Sequence, residues 1–286
     1  MNKKLIVTID GADGAGKKTT AKELQEILEE RGFRTYYMDF PDYSSNTGKA
    51  IKEYLTDPSY TCDNRRVISQ LYTADRSMWM MKNRNNPDLL NANILLYNRS
   101  WISNLIYQTT VIPPNRLKRY CNDEFIGAHD IDSYVEFIHD AYVNEIDPWV
   151  FTDNNNTKLR MDQMPCLNFV IHTDPSLLDH NIKKRETETH TEQDLNDIDQ
   201  EFQNSVIANY LWYESYQYHI FRTIDSKYGD AFGNNVRNFY KMIRCDSFIT
   251  INSSSTINGI KIIQRQPCEI AKMLLSIIYN KLYINE

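Results

Sequence analysis

Residues 10 to 20 read Asp-Gly-Ala-Asp-Gly-Ala-Gly-Lys-Lys-Thr-Thr, between the β-branched apolar run Leu5 to Ile9 and a helical period. Gly11, Gly16 and Lys17 stand at the G-x-x-x-x-G-K spacing with which a strand turns into a helix around a phosphate group. Three of the nine glycines fall within these six residues, and without Cβ atoms the backbone can turn its N–H groups inward around phosphate oxygens. The helix that follows presents its positive N-terminal end to the same anion. The phosphate-binding residues expected here are Gly11, Asp13, Gly14, Ala15, Gly16, Lys17, Lys18 and Thr19, with Lys17 reaching the β- and γ-phosphates. One position departs from the pattern. After the loop lysine a Ser or Thr hydroxyl normally binds Mg²⁺, and here stands Lys18. Either Thr19 shifts into that role, with Asp10 as a further candidate ligand, or water and carboxylates carry the ion, which needs few protein ligands. Lys18 can also add positive charge over the transferring phosphoryl.

The rest of the chain repeats the strand–helix alternation. Thr20 to Arg31 carries apolar residues at 21, 24, 27 and 28, a helix period that ends at Arg31-Gly32. Thr35 to Phe40, Ile94 to Tyr97, Leu167 to His172 and Phe248 to Ile251 read as further strands. Helices are expected over 47–55, 65–82, from Trp101, and over Ile270 to Leu282, with Pro58 and Pro87 as punctuation. This order predicts an α/β fold, the P-loop NTPase three-layer sandwich, with a parallel five-stranded sheet flanked by helices. Residues 113–165, with a Pro-Pro pair, a helix from about 123 to 146 and a polar Asn-rich loop, read as an insertion, and 229–246 as a second. There is no internal repeat and no linker, so residues 1–286 read as a single domain.

Composition narrows the partners. Lys and Arg number 32 against 38 Asp and Glu, a net charge of −6, which argues against a nucleic-acid surface. No stretch approaches the roughly 18–20 apolar residues of a membrane span. The start is too short and lacks the cleavage site of a secretory signal. Five scattered cysteines without a C-x-x-C pair read as reduced thiols in a cytoplasmic compartment, without a zinc site.

Later motifs, taken together and in order, resemble the thymidylate kinases over most of the chain. They are Phe40-Pro41-Asp42-Tyr43, the segment T-G-K-A-I-K-E-Y-L at 47–55, Tyr72 four residues before Arg76, and Asn98-Arg99-Ser100 with Asn104 and Tyr107. Asp174-Pro175 then opens a helix ending in Lys183-Lys184-Arg185, where the family places its basic lid (about 183–194). The stretch at 194–203 resembles the segment behind that lid. The resemblance implies transfer of the ATP γ-phosphoryl to dTMP, with dUMP a second acceptor, in the presence of Mg²⁺. It implies a homodimer formed through helices of the first half. It implies that Lys17, Arg99 and Arg185 supply the catalytic cations. Phe40, Tyr43 and Gln203 would line the acceptor pocket and Tyr72 would stack on the base. Arg76 would donate to O4 and Asn104 would complete the reading of the base edge. Tyr107 would exclude a 2′-hydroxyl and Asp13 would accept the 3′-hydroxyl.

Two positions leave the family pattern. Asn98 stands where the family has Asp, with Asp10 the candidate substitute, and Ser100 replaces a tyrosine. The Asn-Arg-Ser triplet is also similar to the Glu-Arg-Ser of deoxynucleoside kinases, so phosphorylation of thymidine is one alternative. A non-catalytic nucleotide-binding regulator is the other. The Asn- and Lys-rich chain suits a phage or an AT-rich genome, in which case the host cytoplasm would be its location.

Overall fold

The protein is described by a computed structural model over residues 4–57, 59, 65–110, 135, 137–146, 150–152, 158–161, 164–189, 199–232, 248–252, 254–257 and 261–283. Its first strand is β1 (Leu5–Gly11), all seven residues of which are buried. The loop after it leads into α1 (Lys17–Glu30), which buries Ala21, Leu24 and Leu28 at the spacing expected from the sequence. That helix stops in a Schellman turn: Gly32 takes φ +85°, its N–H reaches Glu29 O, and Phe33 N–H reaches Leu28 O.

Four more elements repeat the alternation: β2 (Thr35–Asp39), α2 (Asn46–Thr56), α3 (Arg65–Asn83) and a short α4 (Pro87–Asn91), capped by the Asn86 side chain. Pro87, read from the sequence as punctuation, stands in the first turn of α4, where a missing N–H costs nothing. Next come β3 (Ile94–Asn98), α5 (Trp101–Thr109) and a π-helical turn at Tyr142–Ile146. A hairpin of β4 (Val150–Thr152) and β5 (Lys158–Arg160) precedes β6 (Cys166–His172). The second half continues with α6 (Pro175–Thr189), the 33-residue α7 (Gln200–Phe232) and β7 (Phe248–Asn252). A second hairpin, β8 (Ser254–Ile257) and β9 (Lys261–Gln264), and the closing α8 (Pro267–Tyr283) complete it.

The five long strands form one parallel sheet in the order β2-β3-β1-β6-β7. β1 and β3 are buried at every residue, so the sheet is covered on both faces and its strands read as continuous apolar runs. α1 packs against α8, while α5 packs against α3 and α7. Because β1 has β3 on one side and β6 on the other, the chain reverses direction at its C-terminal end. A crevice opens at such a switch point, and the glycine loop sits there. The five strands of the sheet and most helices match the sequence reading to within a few residues, whereas α7 and both hairpins were not foreseen. Most of 113–165 and of 229–246, and residues 190–194 of the expected lid, lie outside the described residues.

Candidate active site

Gly11, Gly14 and Gly16 have φ of +141°, +76° and +78°, so the loop turns through conformations that side chains disfavour. A Cβ on Gly11 would lie 2.5 Å from the carbonyl oxygen of Ile171 on β6. Lys17, 5% exposed, curls over this loop: its Nζ donates to Ala12 O at 2.7 Å and lies 3.7 Å from Asp13 Oδ1.

Asp13 is the centre of the cluster. The guanidinium of Arg99 pairs with Oδ1, and the Tyr107 hydroxyl donates to Oδ2 at 2.8 Å. Gln203, arriving from α7, accepts from Asp13 N–H at 3.3 Å and donates to Oδ2 at 3.4 Å. Burial alone would raise the Asp13 carboxyl; the charges of Arg99 and Lys17, with hydrogen bonds from Arg99 and Tyr107, outweigh it and hold it well below the carboxylate range. Burial, then the Asp13 carboxylate, push the Tyr107 phenol well above its usual value, so it remains a donor. Arg99 is the one non-glycine residue with positive φ among those described, at +62°. That conformation is uncommon outside Gly, Asn and Asp and clusters at functional sites. It directs Arg99 off the end of β3 toward the loop, with its guanidinium 5.9 Å from the Tyr107 ring centre.

Beside this cluster lies a partly open cavity lined by Asp13, Phe40, Tyr43, Tyr72, Arg76, Arg99, Asn104 and Tyr107, among others. It thus gathers eight of the nine acceptor-site residues expected from the sequence, and Gln203 joins them through Asp13. The wall at Phe40 is packed from behind: its ring lies 5.1 Å from that of Tyr97 and 5.6 Å from that of Trp79. Asp75 on α3 fixes the following turn by accepting from Asp42 N–H, Ser45 Oγ and Thr47 Oγ1 at 2.8, 2.7 and 2.6 Å. Asn104 is oriented by its amide N–H groups, which donate to Ser69 O at 3.0 Å and Ser69 Oγ at 3.1 Å. Its Oδ1 is buried without a hydrogen bond, as is Gln108 Oε1. Gln108 also lines the cavity and was missed by the sequence reading; its one sequence signal is a place one helical turn after Asn104.

The two residues expected as metal ligands, Asp10 and Thr19, lie in different settings. Asp10 is fully buried, and its oxygens accept four hydrogen bonds from the start of α5: Ser100 N–H (2.9 Å), Ser100 Oγ (2.8 Å), Ser103 N–H (3.1 Å) and Ser103 Oγ (2.6 Å). A carboxylate committed in this way anchors a helix and has no oxygen to offer an ion. Thr19 lies on the exposed face of α1, about 100° around the helix from Lys18. Asp13 is held by Arg99 and Lys17, and Asp39 is bonded to Lys18 and Asn98 at 2.8 and 2.7 Å, so among the described residues these carboxylates beside the loop are already paired. Among the described residues no group of three or more His, Cys, Asp or Glu is placed to hold a metal ion. This donor set does not fit a protein-anchored Mg²⁺.

The basic helix end meets the loop from the other side. Asn181 on α6 donates to Gly14 O at 2.9 Å, and a Cβ on Gly14 would lie 3.0 Å from Leu178 O. Half-buried Arg185 follows Asn181 by one helical turn, while Lys183 and Lys184 are exposed.

A family model described as thymidylate kinase matches residues 9–123, which include the glycine loop, the Phe40-Pro41 turn, Tyr72, Arg76 and the Arg99–Tyr107 segment. Over this stretch the chain is similar to the thymidylate kinases. The "Probable thymidylate kinase" of Methanosphaera stadtmanae is 35% identical over 112 residues, 38% of this chain and 56% of that protein. The one from Methanobrevibacter smithii is 30% identical over 130 residues, 45% of this chain and 65% of that protein. The chain thus spans between half and two thirds of the length of these thymidylate kinase relatives. A solved thymidylate kinase from Candida albicans superposes with a TM-score of 0.51 at 15% identity, covering 98% of this chain and 92% of that one, which supports the shared fold. The family match ends at residue 123, so the lid and Gln203 motifs of the second half lie beyond it.

Proposed function

We propose that the protein is a nucleoside monophosphate kinase that transfers the γ-phosphoryl of ATP to dTMP, and to dUMP as a second acceptor. The observation that carries this reading is the junction of two features: the Asp13–Arg99–Tyr107 cluster at the end of the phosphate loop opens onto the cavity lined by Tyr72, Arg76 and Asn104. In the transfer, an oxygen of the acceptor 5′-phosphate attacks the γ-phosphorus and the bond to the β,γ-bridging oxygen breaks, leaving ADP and the acceptor diphosphate. Such transfers need positioning and positive charge more than covalent help. Lys17 supplies charge at the donor phosphates and Arg99 at the acceptor phosphate, with Arg185 approaching from α6. Mg²⁺ enters this reading on the nucleotide's own phosphate oxygens and water.

Acceptor choice follows from the cavity's chemistry. The Arg76 guanidinium can donate to a base carbonyl, and the buried amide oxygens of Asn104 and Gln108 can accept the ring N–H beside it. A pyrimidine with a carbonyl at position 4 satisfies both, whereas cytosine presents an amino group to an arginine. Unpaired buried groups make such discrimination large, on the order of 10⁴. The Tyr107 ring lies against Asp13, in line with preference for a deoxyribose. Exposed Val67, Met78 and Met81 on α3 support a homodimer through this helix. No helix among the described residues is long and apolar enough to cross a membrane, and nucleotide substrates of this kind support a cytoplasmic location for the proposed kinase.

The test is ADP release with ATP and Mg²⁺ against dTMP, dUMP, dCMP, dGMP, dAMP and thymidine. Turnover on dTMP is expected, with or without dUMP. Turnover on thymidine alone, or nucleotide binding without any ADP, would overturn the reading.

A further inference from the structure

Lys18 occupies the loop position that ordinarily supplies a metal-binding hydroxyl, and its surroundings are built for a cation. Its Nζ lies 2.8 Å from Asp39 Oδ2. The other oxygen of Asp39 accepts from Asn98 Nδ2 at 2.7 Å, and Asn98, 3% exposed, has its Oδ1 buried without a hydrogen bond. Asp39 and Asn98 are the last residues of β2 and β3 and face each other in register. The residues after them, Phe40 and Arg99, both line the acceptor cavity. The ammonium therefore stands at the seam between the phosphate loop and the acceptor pocket, held there by the ends of two strands. It has three N–H donors, so the contact with Asp39 leaves capacity for phosphate oxygens. The carboxylates that might have anchored a divalent ion at this seam are committed elsewhere, Asp10 to the start of α5 and Asp13 to Arg99 and Lys17.

From this geometry we infer that Lys18 is a built-in cation for the donor phosphates, taking the place of a protein-anchored divalent ion, with Asp39 and Asn98 as its positioning residues. Asp39 holds the ammonium in the resting enzyme and gives it up in part when a nucleotide's β- and γ-oxygens compete for it. The exposed side chain, 63% accessible, is free to make that exchange. Lys18 then supplies, at the donor phosphates, positive charge that a metal ion held by a hydroxyl supplies elsewhere.

The inference rests on the reading of the chain as an ATP-dependent kinase, and one experiment separates the two. ATP affinity is measured calorimetrically on the full chain, in excess Mg²⁺ and in EDTA, for wild type, Lys18→Ser and Asp39→Asn. A charge-assisted hydrogen bond of about 1.5–3 kcal/mol corresponds to a change in affinity of about 10- to 100-fold. Lys18→Ser should therefore lose about that much affinity in EDTA relative to wild type and regain most of it in Mg²⁺. Asp39→Asn, which releases the ammonium, should bind ATP in EDTA more tightly than wild type. Equal EDTA affinities for wild type and Lys18→Ser, in a protein that still makes ADP with dTMP, would reduce the Lys18–Asp39 pair to a surface contact. Absence of ATP binding and of ADP in every buffer would overturn the kinase reading, and this inference with it.

Discussion

Asp13 is gripped by two cations, a phenol and an amide at once, and the proposed site turns on that convergence. Because its folded carboxyl sits below its unfolded value of about 3.9, the stability it contributes is present above that pH and fades as pH falls through the folded value. The stability gap between wild type and Asp13→Asn, measured by urea unfolding, should accordingly be steady from pH 6 to 8. Below pH 4 it should narrow by about 1.4 kcal/mol per pH unit. A gap independent of pH down to pH 2 would mean that the Asp13 carboxyl binds its proton equally well folded and unfolded, so that its partners do not lower it. In the proposed reaction Arg99 is the partner with the chemical role. Arg99→Ala should lower kcat/KM for dTMP by about 10²–10³, the scale of one lost charge-stabilising donor; near-wild-type turnover would remove it from the reaction. Tyr107→Ala takes away the ring beside Asp13 and should admit UMP and other ribonucleotides. An unchanged deoxy preference in a competition assay would assign that choice to another residue.

At the scale of elements, the site is assembled by helix ends tied to strand ends. α5 is anchored through Asp10, which reaches from β1 to the first turn of the helix, and α2 is anchored through Asp75 of α3. Asp75→Ala would leave the Asp42 N–H and two hydroxyls without their acceptor. It should cost about 1–3 kcal/mol, read as a lowered Tm, and should also raise KM for dTMP, because the turn it holds carries Pro41 and Tyr43. Loss of stability with an unaltered KM would separate the turn from the acceptor site. Glycine at 48 belongs to the same arrangement, since a Cβ there would meet Asp42 O at 1.9 Å. Much of this level was legible beforehand. The strands showed as short apolar runs because they are buried on both faces, and α1 showed as a 3.6-residue period because one face is buried. α7 was harder to see. Its buried residues Phe202, Val206, Tyr210, Tyr213, Ile220 and Ile224 do follow a helical period, but the tyrosine-rich segment at 210–221 has strand-like preferences that obscure it.

Over the whole molecule, the described surface of α3 is uneven. Val67, Met78 and Met81 are 53%, 54% and 69% exposed and fall at helical spacing along one side. An apolar stripe of this kind marks an association surface more often than a free one. The double substitution Met78→Glu and Met81→Glu should convert a dimer to a monomer in sedimentation or light scattering while preserving the fold. A wild-type protein that is monomeric at assay concentrations would overturn the proposed dimer. The same helix carries Tyr72, Asp75 and Arg76, so association through it would bear on the acceptor pocket.

What the sequence determined by itself was everything set by local pattern: the glycine loop, the alternation of strands and helices, and the residue types suited to a phosphate and a pyrimidine. Asp13, Arg99, Tyr107, Tyr72, Arg76 and Asn104 were all nameable from spacing and resemblance. Which of these groups meet was decided by the tertiary structure alone. Asp10 could be read as a metal ligand until the start of α5 was brought against it, 90 residues further along the chain. Lys18, Asp39 and Asn98 become one cluster only because β2 and β3 pair in register beside the loop. Gln203 reaches Asp13 across 190 residues. A side chain's partner depends on which strand ends the sheet order brings together, and local periodicity carries no record of that order.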